Sequence, residues 1–171
     1  MTRYLPLVGL AALSLAGPAM AQAPGSTATV TSTASATVIQ PISVAKTTDL
    51  AFGSFVRPGS GANAVVIDAT TGARTLTGGG NASLASSTTS RAAFSVSGEG
   101  AQTFSITVPS TVTMLRSGGS ETLPVTLTPS APSGTMVGGS ATFGVGGSLP
   151  LDNTVVGGAY SGNFNVTVGY N

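Results

Sequence analysis

From Tyr160 to the end of the chain, apolar or aromatic side chains return at every second position except Gly162. Tyr160, Phe164, Val166, Val168 and Tyr170 alternate with Ser161, Asn163, Asn165 and Thr167. A period of two puts each set on its own face of a β-strand, because successive side chains of an extended chain point opposite ways. The same period recurs upstream in short runs. Phe94 and Val96 share a face within residues 92–97; Phe104, Ile106 and Val108 do so within residues 103–108; Leu123, Val125 and Leu127 do so within residues 123–128. The spacing predicts a hairpin of residues 64–69 and 74–77 about Thr71-Gly72, and a clearer one of residues 92–97 and 103–108 about Gly98-Glu99-Gly100. Residues 111–115 and 123–128 flank a turn at residues 117–120, and residues 141–145 and 148–151 read as two short pieces around Gly146-Gly147.

Residues 36–45 read as a strand with Pro41 inside it; proline cannot donate to a ladder, so this strand belongs at an edge or a bulge. Residues 50–56 read as another short strand, ended by the Arg57-Pro58-Gly59-Ser60-Gly61 loop. Strands about ten residues apart, punctuated by glycine and proline, with no helical period beyond the leader, predict an all-β fold. The expected form is a single antiparallel β-sandwich, immunoglobulin-like or pilin-like.

Residues 1–21 have the composition of a secretory signal peptide: Arg3, an apolar run from Leu5, then Ala19 and Ala21 before the cut. Export leaves about 150 residues, enough for one domain with its own core. Residues 22–33 form a flexible or donor-strand extension, and residues 34–171 form the sandwich. No other run is long and apolar enough to span a bilayer, so no transmembrane segment is expected in the mature chain.

The chain contains no cysteine and no histidine. Stability must come from packing and strand pairing without disulfides. The usual general base and the commonest transition-metal ligand are missing, so no enzyme activity, cofactor or metal is expected. Ser43 and Lys46 match the bare Ser-x-x-Lys spacing, but on a strand rather than the helical turn that chemistry requires. Asp152 and Asn153 offer too few oxygen ligands for calcium. The glycine runs at residues 78–80 and 144–147 lack the helix and Lys-Ser/Thr of a phosphate loop. Charged residues are only 6% of the chain and lie singly, which argues against nucleic acid and leaves little to repel copies of itself.

Leu50-x-Phe52-Gly53, Phe94-x-Val96-x-Gly98, Val145-Gly146-Gly147-x-Leu149 and the ending Gly158-x-Tyr160-x-Gly162-x-Phe164-x-Val166-x-Val168-x-Tyr170, in that order, resemble domain-of-unknown-function family 4402. That is a group of exported bacterial all-β proteins, and the likeness covers nearly all of the mature chain from about Ala34. It brings no activity and no catalytic residue. The ending also resembles that of chaperone-usher pilins, which carry a glycine fourteenth from the end and a tyrosine next to last; Gly158 and Tyr170 stand there.

By that resemblance the strand through Gly158, Tyr160, Phe164, Val166, Val168 and Tyr170 is an assembly strand, read by a periplasmic chaperone at an outer-membrane usher. It would later flank a groove filled by the next subunit's extension, with Ala28, Val30, Ser32 and Ala34 as candidate donor residues. The chain departs from the pilin pattern in lacking a cysteine pair and in offering mostly alanine as donor. Residues 27–38 equally fit a first strand of the chain's own sandwich, and the terminal strand equally fits an ordinary last strand. The function expected is a non-catalytic subunit of a surface fibre in the periplasm or at the cell surface, self-associating by strand addition. The alternative is a stand-alone secreted sandwich that binds surface polymers such as carbohydrate.

Overall fold

The computed structural model describes Gly25 and residues 27–171; the leader expected at residues 1–21 lies outside them. The chain divides into two units, Met1–Ala36 and Thr37–Asn171. In the first, residues 27–36 are exposed and join no strand, Val30 being 90% exposed.

The second unit is all-β and antiparallel, with no helix among the described residues. Its strands are β1 (Ser43–Thr48), β2 (Phe55–Val56), β3 (Asn63–Ile67), β4 (Arg74–Gly78), β5 (Ser83–Leu84), β6 (Ala92–Ser97) and β7 (Thr103–Thr107). They continue with β8 (Thr111–Arg116), β9 (Thr122–Pro129), β10 (Ser133–Thr135), β11 (Ser140–Leu151), β12 (Tyr160–Ser161) and β13 (Thr167–Tyr170). The larger sheet runs β1-β6-β11-β9-β8-β12, with the β3-β4 hairpin also on β11. The second sheet is β10-β7-β13, and β2-β5 is a small separate ribbon.

Period-two alternation becomes burial as the pattern requires. Leu123, Val125 and Leu127 of β9, Phe94 and Val96 of β6, and Phe104 and Ile106 of β7 are buried, while their neighbours along each strand are more exposed. The rings of Phe94 and Phe143 stack at 5.1 Å between centroids. Val65, Val96, Val125 and Val145 have no exposed surface. Each fully buried valine contributes about 1.5–3 kcal/mol relative to exposure.

The β3-β4 hairpin forms as expected, and the two runs flanking the turn at residues 117–120 pair with each other as β8 and β9. Several expectations need correction, among them the strand expected at residues 50–56, of which only Phe55–Val56 forms one, with Ala51 an isolated bridge to Ser90. The run of residues 92–97 and 103–108 is not a hairpin: β6 pairs with β1 and β11, whereas β7 pairs with β10 and β13 in the other sheet. Period two tells which face is apolar but not which sheet holds it, and a crossing between sheets leaves the same signature as a hairpin. The two pieces expected around Gly146-Gly147 are one 12-residue strand, β11. One edge of β11 pairs first with β6 and then with β3, while the other pairs with β9. At Gly146, where β6 hands over to β3, a Cβ would lie 2.2 Å from the Ile67 carbonyl oxygen, so glycine here permits close passage rather than a break. Residues 36–42 join no strand; pairing begins at Ser43, beyond Pro41.

Arginine takes over part of the work that disulfides do elsewhere. Arg74 donates to the carbonyls of Phe52, Ser54 and Ala85. Arg91 donates to Ala69 and Thr70, Arg57 to Asn153 and Val155, and Arg116 to Gly157. Each guanidinium thus ties loop backbone to a strand or its flank.

Candidate strand-acceptor groove

The terminal segment keeps its alternation but not its ladder. Tyr160, Phe164, Val166, Val168 and Tyr170 are half-buried against the core, and the residues between them are exposed apart from half-buried Gly169. Yet β12 pairs with β8 in the larger sheet, whereas β13 pairs with β7 in the other. The single strand expected here is therefore two short ones, and residues 163–166 make no backbone hydrogen bond to any other described residue. The register explains the gap: Thr167 faces Thr107, so Asn165 would fall opposite Pro109, which has no N–H to give.

Both ends of the segment are held. Gly158 has a φ of 155°, and a Cβ there would lie 2.6 Å from the Arg116 guanidinium. Arg116 donates to Gly157 and pairs with Glu121 at 3.1 Å. The Tyr160 hydroxyl donates to the Val156 carbonyl at 2.7 Å. At the far end the Tyr170 hydroxyl donates to the Gln40 carbonyl at 2.9 Å and accepts from the Glu99 N–H at 2.7 Å. The Gln40 N–H in turn donates to the Glu99 carboxylate at 3.3 Å. Gly98 makes room for this, since a Cβ there would lie 2.2 Å from the Tyr170 oxygen.

Between the chain leaving β1 and the chain around β12 lies a trough. One cavity of about 590 Å³ is lined by Leu50, Phe52, Phe55, Met114, Leu149 and Tyr160. A second of about 450 Å³ shares Leu50, Met114 and Tyr160 with it and reaches Phe94 and Phe164. Core side chains form the floor: Phe52, Phe94 and Leu149 belong to the main hydrophobic cluster. Among the described residues β1 has only β6 as a partner, so its other edge is unpaired. An apolar floor beside unpaired backbone is what an added strand needs. Lys46 and Asp49 form an exposed ion pair at the rim, which contributes little to stability.

The remaining charged groups serve loops. Hydrogen bonds from the Thr71 amide and hydroxyl, then from the Thr70 amide, hold Asp68 below the usual carboxylate range. The Thr154 hydroxyl and amide do the same for Asp152, and its own amide followed by Arg116 does so for Glu121. Ser43 and Lys46 do not meet: Ser43 donates to the Ser97 carbonyl and Lys46 to Asp49. Among the described residues no three His, Cys, Asp or Glu side chains come together as a metal site.

Of the candidate assembly residues, the structure places Gly158, Tyr160, Phe164, Val166, Val168 and Tyr170 along one side of the domain. Ala28, Val30, Ser32 and Ala34 are exposed in the first unit. Sequence reasoning missed Leu50, Phe52 and Met114 as trough lining, and Gln40, Gly98 and Glu99 as the surroundings of Tyr170. These come from distant strands, and no local pattern joins them.

A family model described as domain of unknown function (DUF4402) matches residues 42–170. The chain belongs to this family. No curated protein and no solved structure gives a match. The DUF4402 match begins one residue before β1 and ends on Tyr170, so it includes both walls of the trough. Residues 27–41 of this DUF4402 protein precede it.

Proposed function

We propose that the protein is an exported, non-catalytic subunit of a bacterial surface fibre, joined by strand addition. Residues 27–38 of one copy lie in the trough of the next. The observation that carries this reading is the trough itself, with core side chains for a floor and the unpaired edge of β1 beside it. The second support is the exposed extension, in which Val30 and Val38 are 90% and 93% exposed. Valine burial contributes about 1.5–3 kcal/mol and a methyl about 0.8 kcal/mol, so Val30 and Val38 anchor the donor while Ala34 and Ala36 pack lightly.

Residues 1–21 direct export to the periplasm or cell surface, where a chaperone and an outer-membrane usher of the strand-pairing kind are the partners this reading needs. Both described tyrosines use their hydroxyls internally, which counts against a stacking platform for sugars.

Electrophoresis in detergent, with and without boiling, tests the proposal on the exported chain and on one lacking residues 22–33. The expected result is a heat-sensitive ladder that truncation abolishes. A folded monomer in both forms would overturn it.

A further inference from the structure

Gln40, the residue through which the extension joins the domain, is held on both of its backbone polar groups. Its carbonyl accepts from the Tyr170 hydroxyl, and its N–H donates to the Glu99 carboxylate. Glu99 lies just beyond the end of β6 that pairs with the start of β1, where Ser43 faces Ser97. Tyr170 faces Phe104 at this same end, on the second sheet.

The trough lies at the other end of β1. Its lining includes Lys46, Asp49 and Leu50 together with Ala92 and Phe94, and Thr48 pairs with Ala93. From Ser43, at the anchored end of β1, to Lys46, its first residue in the trough lining, the strand runs about 10 Å.

From this we infer that Tyr170 is a positioning residue that fixes where the extension leaves the domain, at the end opposite the trough, and so directs strand addition to a second copy, head to tail. The inference rests on the strand-addition reading. To enter its own trough the extension must reverse around Gln40 and run back past β1. A reversal at Gln40 itself would break its contacts to Tyr170 and Glu99, and Pro41 beside it has a fixed φ, so with both contacts in place the turn must be made within residues 37–39. With the contacts intact, Gln40 stays at the Ser43 end of β1, which disfavours entry of the chain's own extension into the trough relative to that of another copy. Such a contact is heterologous and does not close, so it propagates as a filament.

The absence of cysteine makes the test clean. One chain carries Ser32→Cys in the extension and Ser54→Cys, an exposed position lining the trough. It is treated with a bismaleimide at low concentration, with and without Tyr170→Phe. The phenylalanine keeps the ring and removes both hydroxyl bonds; a thermal melt confirms that the fold is retained.

The expected result is an intermolecular ladder with Tyr170. With Tyr170→Phe, the ratio of internally looped monomer to ladder rises by roughly fivefold or more, the effect of losing about 1 kcal/mol or more of bias. A ladder unchanged by Tyr170→Phe would overturn the role of Tyr170 and leave strand addition standing. Looped monomer with Tyr170 in place would overturn the head-to-tail direction. No crosslink of either kind would overturn strand addition and this inference with it.

Discussion

A glycine and a tyrosine share one space at the end of the sandwich. Because a Cβ at Gly98 would lie 2.2 Å from the Tyr170 hydroxyl and 3.0 Å from Met136, Gly98→Ala forces the ring outward and breaks its bonds to Gln40 and Glu99. The expected loss is about 1–3 kcal/mol, read from the urea midpoint. Arg74 offers a second test. Its three loop carbonyls need a planar fork, so Arg74→Lys should recover little of what Arg74→Ala loses.

Acid should act through the loops. Asp68, Asp152 and Glu121 each have a folded pKa below the unfolded one. Their contribution is present above the unfolded pKa and is lost as pH falls through the folded pKa. The unfolding midpoint should therefore hold near pH 6 and decline below about pH 4, and Asp68→Asn with Asp152→Asn should flatten the decline.

At the scale of strands, β11 joins the parts of the larger sheet. Gly146→Val would drive a side chain into the Ile67 carbonyl and separate β3 from β11, so loss of the native fold is expected in a circular dichroism melt. Phe94→Ala removes one of two stacked rings from the core; a loss of about 3–5 kcal/mol is expected. Which residues share a face is legible because alternation reports it directly: Leu123, Val125 and Leu127 fall on one face of their run and are buried together. Pairing was legible only where a short turn forced it, as in β3-β4 and β8-β9. The partners of β6 and β7, the continuity of β11 and the gap at residues 163–166 depend on residues far apart, such as Pro109 opposite Asn165. The trough was unreadable for the same reason. Its ending was visible in the sequence, but Leu50 and Met114 meet only in the folded chain.

For the whole molecule, strand addition predicts a linkage effect. A peptide of residues 27–38, added to a chain lacking its own extension, should raise stability by about 2.7 kcal/mol at a hundred times its dissociation constant. A melting temperature unmoved by saturating peptide would exclude the trough as its site. The orientation of β1 also governs how such a subunit would respond to tension. Pulled from Gln40 while the trough end is gripped by the next copy, β1 is drawn along its own length, and its bonds to β6 are loaded in shear. They then resist together instead of opening one after another, as they would if peeled from the end. An edge strand that buries almost no side chain can in this way be the part of the protein that bears force.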